Sequence, residues 1–161
     1  MLPHQFYSIL KNKFPFQPTL KQNIFFQMIS EFLTDKNDEQ IFVLKGYAGT
    51  GKTSVISALV RALNGLKQKT VLLAPTGRAA KVISGYSGFP AFTIHKKIYR
   101  QKSMSEFRFQ LSDNLHINTL FIADEASMIS DTNSDSKLYE NGSLLDDLIS
   151  YVYSGKNCKM I

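Results

Sequence analysis

The ten residues GYAGTGKTSV (46–55) set three glycines and two threonines around one lysine, one residue after the apolar run IFVL (41–44). Gly46, Gly51, Lys52 and Thr53 meet the spacing G-x-x-x-x-G-K-[ST], the pattern of a loop that wraps a polyphosphate between a strand and a helix. Such a loop must turn backbone N–H groups inward, which glycine permits because it accepts positive φ and close approach of the ligand. A helix beginning just after the loop adds its N-terminal partial positive charge. Lys52 then supplies a point charge for the β- and γ-phosphates, and the Thr53 hydroxyl is a suitable hard oxygen for Mg²⁺. ATP and Mg²⁺ are the implied ligands, with Ala48, Gly49, Thr50 and Ser54 completing the nucleotide-binding set.

A second group of chemically competent residues lies seventy positions on. In TLFIADEA (119–126), four apolar residues, Leu120 to Ala123, end in Asp124 and Glu125. Two carboxylates at the carboxyl end of a buried strand stand where α/β sheets bind ligands. Asp124 can hold Mg²⁺ through its water shell opposite Thr53, and Glu125 can orient and deprotonate an attacking water. That division of labour suits a hydrolase, since a kinase needs its base on a substrate hydroxyl.

These groups require a scaffold of alternating strands and helices. Ile41 to Leu44 read as a short buried strand and Ser54 to Leu63 as a helix. VLLA (71–74) and TLFIADEA are further all-apolar strands, of the kind found in a parallel sheet covered on both faces. Thr19 is an N-cap for LKQNIFFQMISEFL, with Leu20, Ile24, Met28 and the Phe32–Leu33 pair on its apolar face. SEFRFQL (105–111) alternates as a half-exposed strand, and SDTNSDS with ENGS marks residues 130–143 as a loop. The fold expected is α/β: a P-loop, RecA-like three-layer αβα arrangement with a mainly parallel sheet.

The 161 residues amount to one domain, with 43% hydrophobic and 20% charged residues. The first 102 residues carry 15 Lys and Arg against 4 Asp and Glu, whereas residues 103–161 carry 4 against 9. A basic block beside a phosphate loop points to a polyanionic partner larger than a nucleotide. There is no membrane-length apolar run and no secretory leader pattern, and the single Cys158 leaves no intramolecular disulfide to form. A cytoplasmic setting is expected.

GYAGTGKT, LLAPTGRAAKVIS, FTIHK and LFIADEASMIS occur in that order, and together they resemble motifs I, Ia, Ib and II of superfamily 1 DNA helicases. The resemblance is strongest to the RecD-like and Dda-like branch, which includes exodeoxyribonuclease V alpha-like proteins. Upstream, FQPTLKQ is similar to that superfamily's adenine-recognising Q motif, with Gln22 as the key side chain. What the resemblance implies is ATP-driven translocation on single-stranded DNA with duplex unwinding, 5′ to 3′. It assigns Pro75, Thr76, Gly77 and Arg78 to one strand contact, and Thr93, His95 and Lys96 to a second. It also reads residues 97–118 as a small insertion with a β-hairpin, in which Phe107 or Phe109 could meet a duplex junction.

In that family a second RecA-like domain supplies arginine fingers and further DNA contacts. Here LLDDLISYVYSG and NCKMI read as the next helix and the start of a strand, and the arginines stand at 61, 78, 100 and 108 alone. The expectation is the N-terminal portion of one RecA-like domain, nearly inactive without its partner domain. Another P-loop NTPase, or a non-catalytic ATP- or DNA-binding module, is the alternative.

Overall fold

The computed structural model describes residues 1–37, 40–101, 109–129 and 143–161. The chain forms α1 (Pro3–Lys13), α2 (Leu20–Thr34), α3 (Lys52–Gly65), β1 (Lys69–Ala74) and α4 (Gly77–Ser87). There follow β2 (Ala91–Thr93), α5 (Ile94–Ile98), β3 (Tyr99–Gln101), β4 (Phe109–Leu111) and β5 (Thr119–Ala123). A 3-10 turn (Ala126–Met128), α6 (Leu144–Ser154) and β6 (Lys159–Met160) complete it. The strands β2-β1-β5-β6 pair side by side in that order, all parallel.

Period-two alternation along β1 and β5 creates the layers. Leu72, Leu120 and Ile122 pack on one face with α1, α2, α3 and Ile83 of α4. Val71, Leu73 and Phe121 pack on the other with Ile94 and Ile98 of α5 and Leu148, Tyr151 and Val152 of α6. Because both faces are covered, these strands read as continuous apolar runs. Burying one such side chain contributes about 1.5–3 kcal/mol. The result is the expected three-layer α/β architecture.

Two elements depart from the sequence reading. In α2 the stripe Leu20, Ile24 and Met28 faces solvent at 77%, 45% and 53% exposure, while Phe25, Phe26, Ile29 and Phe32 are buried. The helix has turned to put its phenylalanines inside, where Phe26 meets Phe14 at 5.4 Å and Phe25 meets Phe42 at 5.8 Å between centroids. Phenylalanine carries more apolar area than leucine and gains further from edge contacts. The run 41–44 is not a fully buried strand. Ile41 forms one parallel bridge to Met160, Phe42 N–H donates to Met160 O at 3.0 Å, and Val43 is 65% exposed. Only its Phe42 and Leu44 side is packed against the core.

Helix α1 was not anticipated, because PHQFYSILKNK is largely polar; its signals are Pro3 in the first turn and the buried pair Phe6 and Leu10 at i, i+4. The antiparallel ribbon β3–β4 lies outside the main sheet, its base held where Tyr99 Oη donates to the buried Asp147 of α6 at 2.5 Å. Phe109 is in β4, whereas Phe107 and residues 130–142 of the expected loop lie outside the described residues.

A buried cation ties β6 to α2. Lys159 Nζ donates to Phe32 O at 2.6 Å and Asp35 O at 2.7 Å, and lies 4.9 Å from the centre of the Phe32 ring. It neutralises the carboxyl end of a helix, where the macrodipole favours positive charge. Lys159→Met keeps the apolar stem but strands both carbonyls, and should lower stability by about 2–4 kcal/mol. Ser57, whose buried hydroxyl has no hydrogen-bond partner among the described residues, should behave oppositely. Ser57→Ala is expected to add about 1 kcal/mol by removing an unpaired group and improving helix propensity. Urea unfolding of the two variants checks both signs.

Candidate functional site

Strand register puts the two chemical groups at one end of the sheet. Met160 lies opposite both Phe121 and Ile41, so β6 is flanked by β5, which ends just before Asp124, and by the run that enters the loop, both directed the same way. Two strand spacings, about 10 Å, separate that run from β5. The loop that leaves Leu44 and the strand that ends in Asp124 therefore point to the same end of the sheet, though Thr53, Asp124 and Glu125 are not among the residues that line the cleft at the loop.

Within the loop, Gly49 and Gly51 hold φ of 77° and 83°, conformations that L side chains rarely adopt. A Cβ on Gly46 would come within 2.9 Å of Thr50 Oγ1, and one on Gly51 within 2.8 Å of Gln22 Nε2. Thr50 N–H and Oγ1 both donate to Tyr47 O, closing the turn. Lys52 Nζ donates to Gly46 O at 2.6 Å and Tyr47 O at 2.9 Å, which holds the ammonium against the loop. Thr53 and Ser54 open α3 in its first turn behind Lys52, and Ala48 is exposed at the crest of the loop. The loop borders a cleft of about 1250 Å³ lined by Phe16, Leu20, Gln22, Tyr47, Gly49 and Lys52, among others.

Gln22 does more than the sequence suggested. Its Oε1 accepts from Thr19 N–H at 3.0 Å, closing a capping box on α2, and its Nε2 donates to Thr50 O at 3.4 Å. One N–H and one lone pair of the amide remain to face a base. Thus Gln22 clasps the phosphate loop to α2 in addition to any reading of adenine.

On the other side, Asp124 N–H donates to Leu73 O at 2.9 Å, so its backbone is fixed to β1. Glu125 adopts φ 55° and ψ 39°, the left-handed region. For a non-glycine residue this stores about 1–3 kcal/mol, a strain concentrated at functional positions. The side chain is thereby turned out of the strand direction into solvent, and Asp124 is half-buried. Among the described residues no group of three or more His, Cys, Asp or Glu forms a ready-made metal cage. A donor set of Thr53 and Asp124 fits Mg²⁺, which keeps water and phosphate oxygens as most of its ligands.

The residues assigned to strand contacts form a second feature at the same sheet end. Ala74 pairs with Thr93, so β1 and β2 finish side by side. After Pro75, Thr76 caps α4 by accepting from Ala79 N–H at 3.2 Å; Thr93 caps α5 by accepting from Lys96 N–H at 3.3 Å. Each hydroxyl therefore has a structural task that the sequence reading did not include. Gly77 and Arg78 are exposed in the first turn of α4, as is Lys96 in α5, and the His95 ring lies 5.9 Å from that of Tyr99.

Fold and loop together define a P-loop ATP-binding module of the α/β class. The chain belongs to the AAA domain family, whose profile it matches over residues 27–140. It is also similar to uncharacterized protein R530 of Acanthamoeba polyphaga mimivirus, at 29% identity over an alignment covering 68% of this chain and 27% of that protein. The chain thus spans about a quarter of the length of this curated relative. No described helix is long and apolar enough to cross a membrane.

Lys52→Ala should weaken Mg·ATP binding by removing the charge nearest the loop, whereas Glu125→Gln should leave binding unchanged. Gly51→Ala should weaken it too, because positive φ and the Gln22 amide both resist a methyl group there. Titration calorimetry with a non-hydrolysable ATP analogue distinguishes the three. Wild-type affinity in Lys52→Ala would remove the loop from the site.

Proposed function

We propose that this chain is the ATP-binding portion of a motor that moves along single-stranded DNA, a DNA helicase with 5′ to 3′ polarity by its RecD-like resemblance, working in the cytoplasm. The observation that carries this reading is the position of β1. Its Leu73 pairs with Ala123 and accepts from Asp124 N–H, and its Ala74 pairs with Thr93 before the chain enters α4 through Thr76. One strand therefore separates the hydrolytic carboxylates from both proposed strand contacts. A displacement of Asp124 on nucleotide turnover has a short, rigid route to the residues that hold DNA.

In this reading Lys52 binds the β- and γ-phosphates and stabilises the charge that develops as the bond to the γ-phosphorus breaks. Glu125 accepts the proton of the attacking water. Bound Mg²⁺ would neutralise phosphate charge beside Thr53 and Asp124. What the site lacks is an arginine: none lines the cleft among the described residues. Arg61 donates to Tyr86 O, and Arg100 pairs with Asp113 at 3.4 Å. A second RecA-like domain is the proposed source.

An arginine finger contributes about 10³ to 10⁵ in rate. The 161-residue chain should accordingly turn over ATP far below the roughly 10 s⁻¹ typical of enzymes, with no stimulation by oligo-dT. Its binding to single strands should be indifferent to sequence and fall steeply with salt, because phosphates are the main contacts. Steady-state hydrolysis with and without oligo-dT, beside filter binding across a salt series, tests these expectations. Motor-like turnover by this chain would mean that the site is completed without a second domain. Salt-independent binding would remove the strand-contact assignment.

A further inference from the structure

We infer that Phe92, backed by Lys97, is a stacking shelf for an unpaired nucleobase. This inference rests on the single-strand reading above and adds to it a contact that recognises bases rather than phosphates. Phe92 is the middle residue of β2, the edge strand of the parallel sheet. Pairing with Leu73 directs it to the α5 side of the sheet, where it is 41% exposed. An aromatic ring left open on an edge strand forgoes burial that would otherwise stabilise the fold.

The surroundings select the occupant. Lys97 Nζ lies 5.8 Å from the centre of the Phe92 ring, so a cation is already positioned at this surface. The next residue is Thr93, which opens α5 beside the start of α4. From Thr76 to Gln101 the chain carries five Lys and Arg and no Asp or Glu, a surface complementary to a polyanion. An aromatic face beside a cation and next to phosphate-binding backbone is the combination that holds single strands, since every base has a π-face. Base-paired DNA keeps its bases stacked inside the duplex and cannot use the shelf. The contact therefore favours single strands over duplex without favouring a sequence.

The test compares oligo-dT with an abasic oligonucleotide of equal length and charge, so that only the bases differ. Wild type should bind oligo-dT more tightly. Phe92→Ala should lose roughly 5- to 100-fold in affinity for oligo-dT, the range expected for one base–aromatic stack, with its salt dependence and its binding to the abasic strand unchanged. The chain contains no tryptophan, so Phe92→Trp provides a single indole, excited selectively over the tyrosines, whose emission should be quenched by oligo-dT and not by the abasic strand. Retained ATP-analogue binding by both variants reports that they are folded. If Phe92→Ala binds oligo-dT like wild type, or the indole emission of Phe92→Trp ignores bound oligo-dT, the shelf is disproved while the single-strand reading stands. If wild type binds neither oligonucleotide, both are overturned together.

Discussion

The shortest strand carries the greatest structural consequence. Met160 of β6 accepts from Phe42 N–H on one side, while Ile161 N–H donates to Phe121 O and Ala123 N–H donates to Ile161 O on the other. These few bonds align the run entering the phosphate loop with the strand that ends in Asp124. Without them the loop and the carboxylates would be two local motifs with no common frame. Parallel pairing matters here, because it brings both segments to the same end of the sheet.

Packing explains why some of the scaffold was legible in the sequence and some was not. β1 and β5 are covered on both faces, so their apolar runs were unambiguous, and the loop's glycines were readable from spacing alone because each answers a steric demand. In α2 two apolar faces compete. Leu20, Ile24 and Met28, with Phe32 and Leu33, suggested one; of that set only Phe32 and Leu33 pack inward, and the aromatic contacts of Phe25 and Phe26 decided the other. Local pattern records only that residues are apolar, whereas the choice between faces depends on what they meet. The run 41–44 is apolar throughout yet only half packed for the same reason, since Ile41 and Val43 are exposed on a face with no covering element among the described residues.

At the site, the sequence identified residue types and missed their second tasks. Thr76 and Thr93 fitted a ligand contact, but each also accepts a first-turn N–H and so fixes where its helix begins. Gln22 matched a base-reading motif and also closes a capping box and grips Thr50. The left-handed backbone of Glu125 had no local signal at all, because glutamate does not favour it; the conformation is imposed by the junction of β5 with the 3-10 turn. Such dual use leaves little freedom for substitution, since a change aimed at a ligand also disturbs a cap or a clasp.

Helix α2, about 22 Å long at 1.5 Å per residue, is clamped at both ends. Gln22 near its start holds the phosphate loop, and the Lys159 ammonium at its finish holds β6. Since β6 also bonds to Phe42, and the chain runs from Phe42 straight into the loop, these links close a ring: loop, helix, strand and loop again. A closed ring of stiff members has few ways to deform. A widening of the loop around phosphate that keeps the Gln22 contact would be felt along α2 and at β6. The helix that packs against the sheet is, mechanically, a tie rod between the phosphate loop and β6.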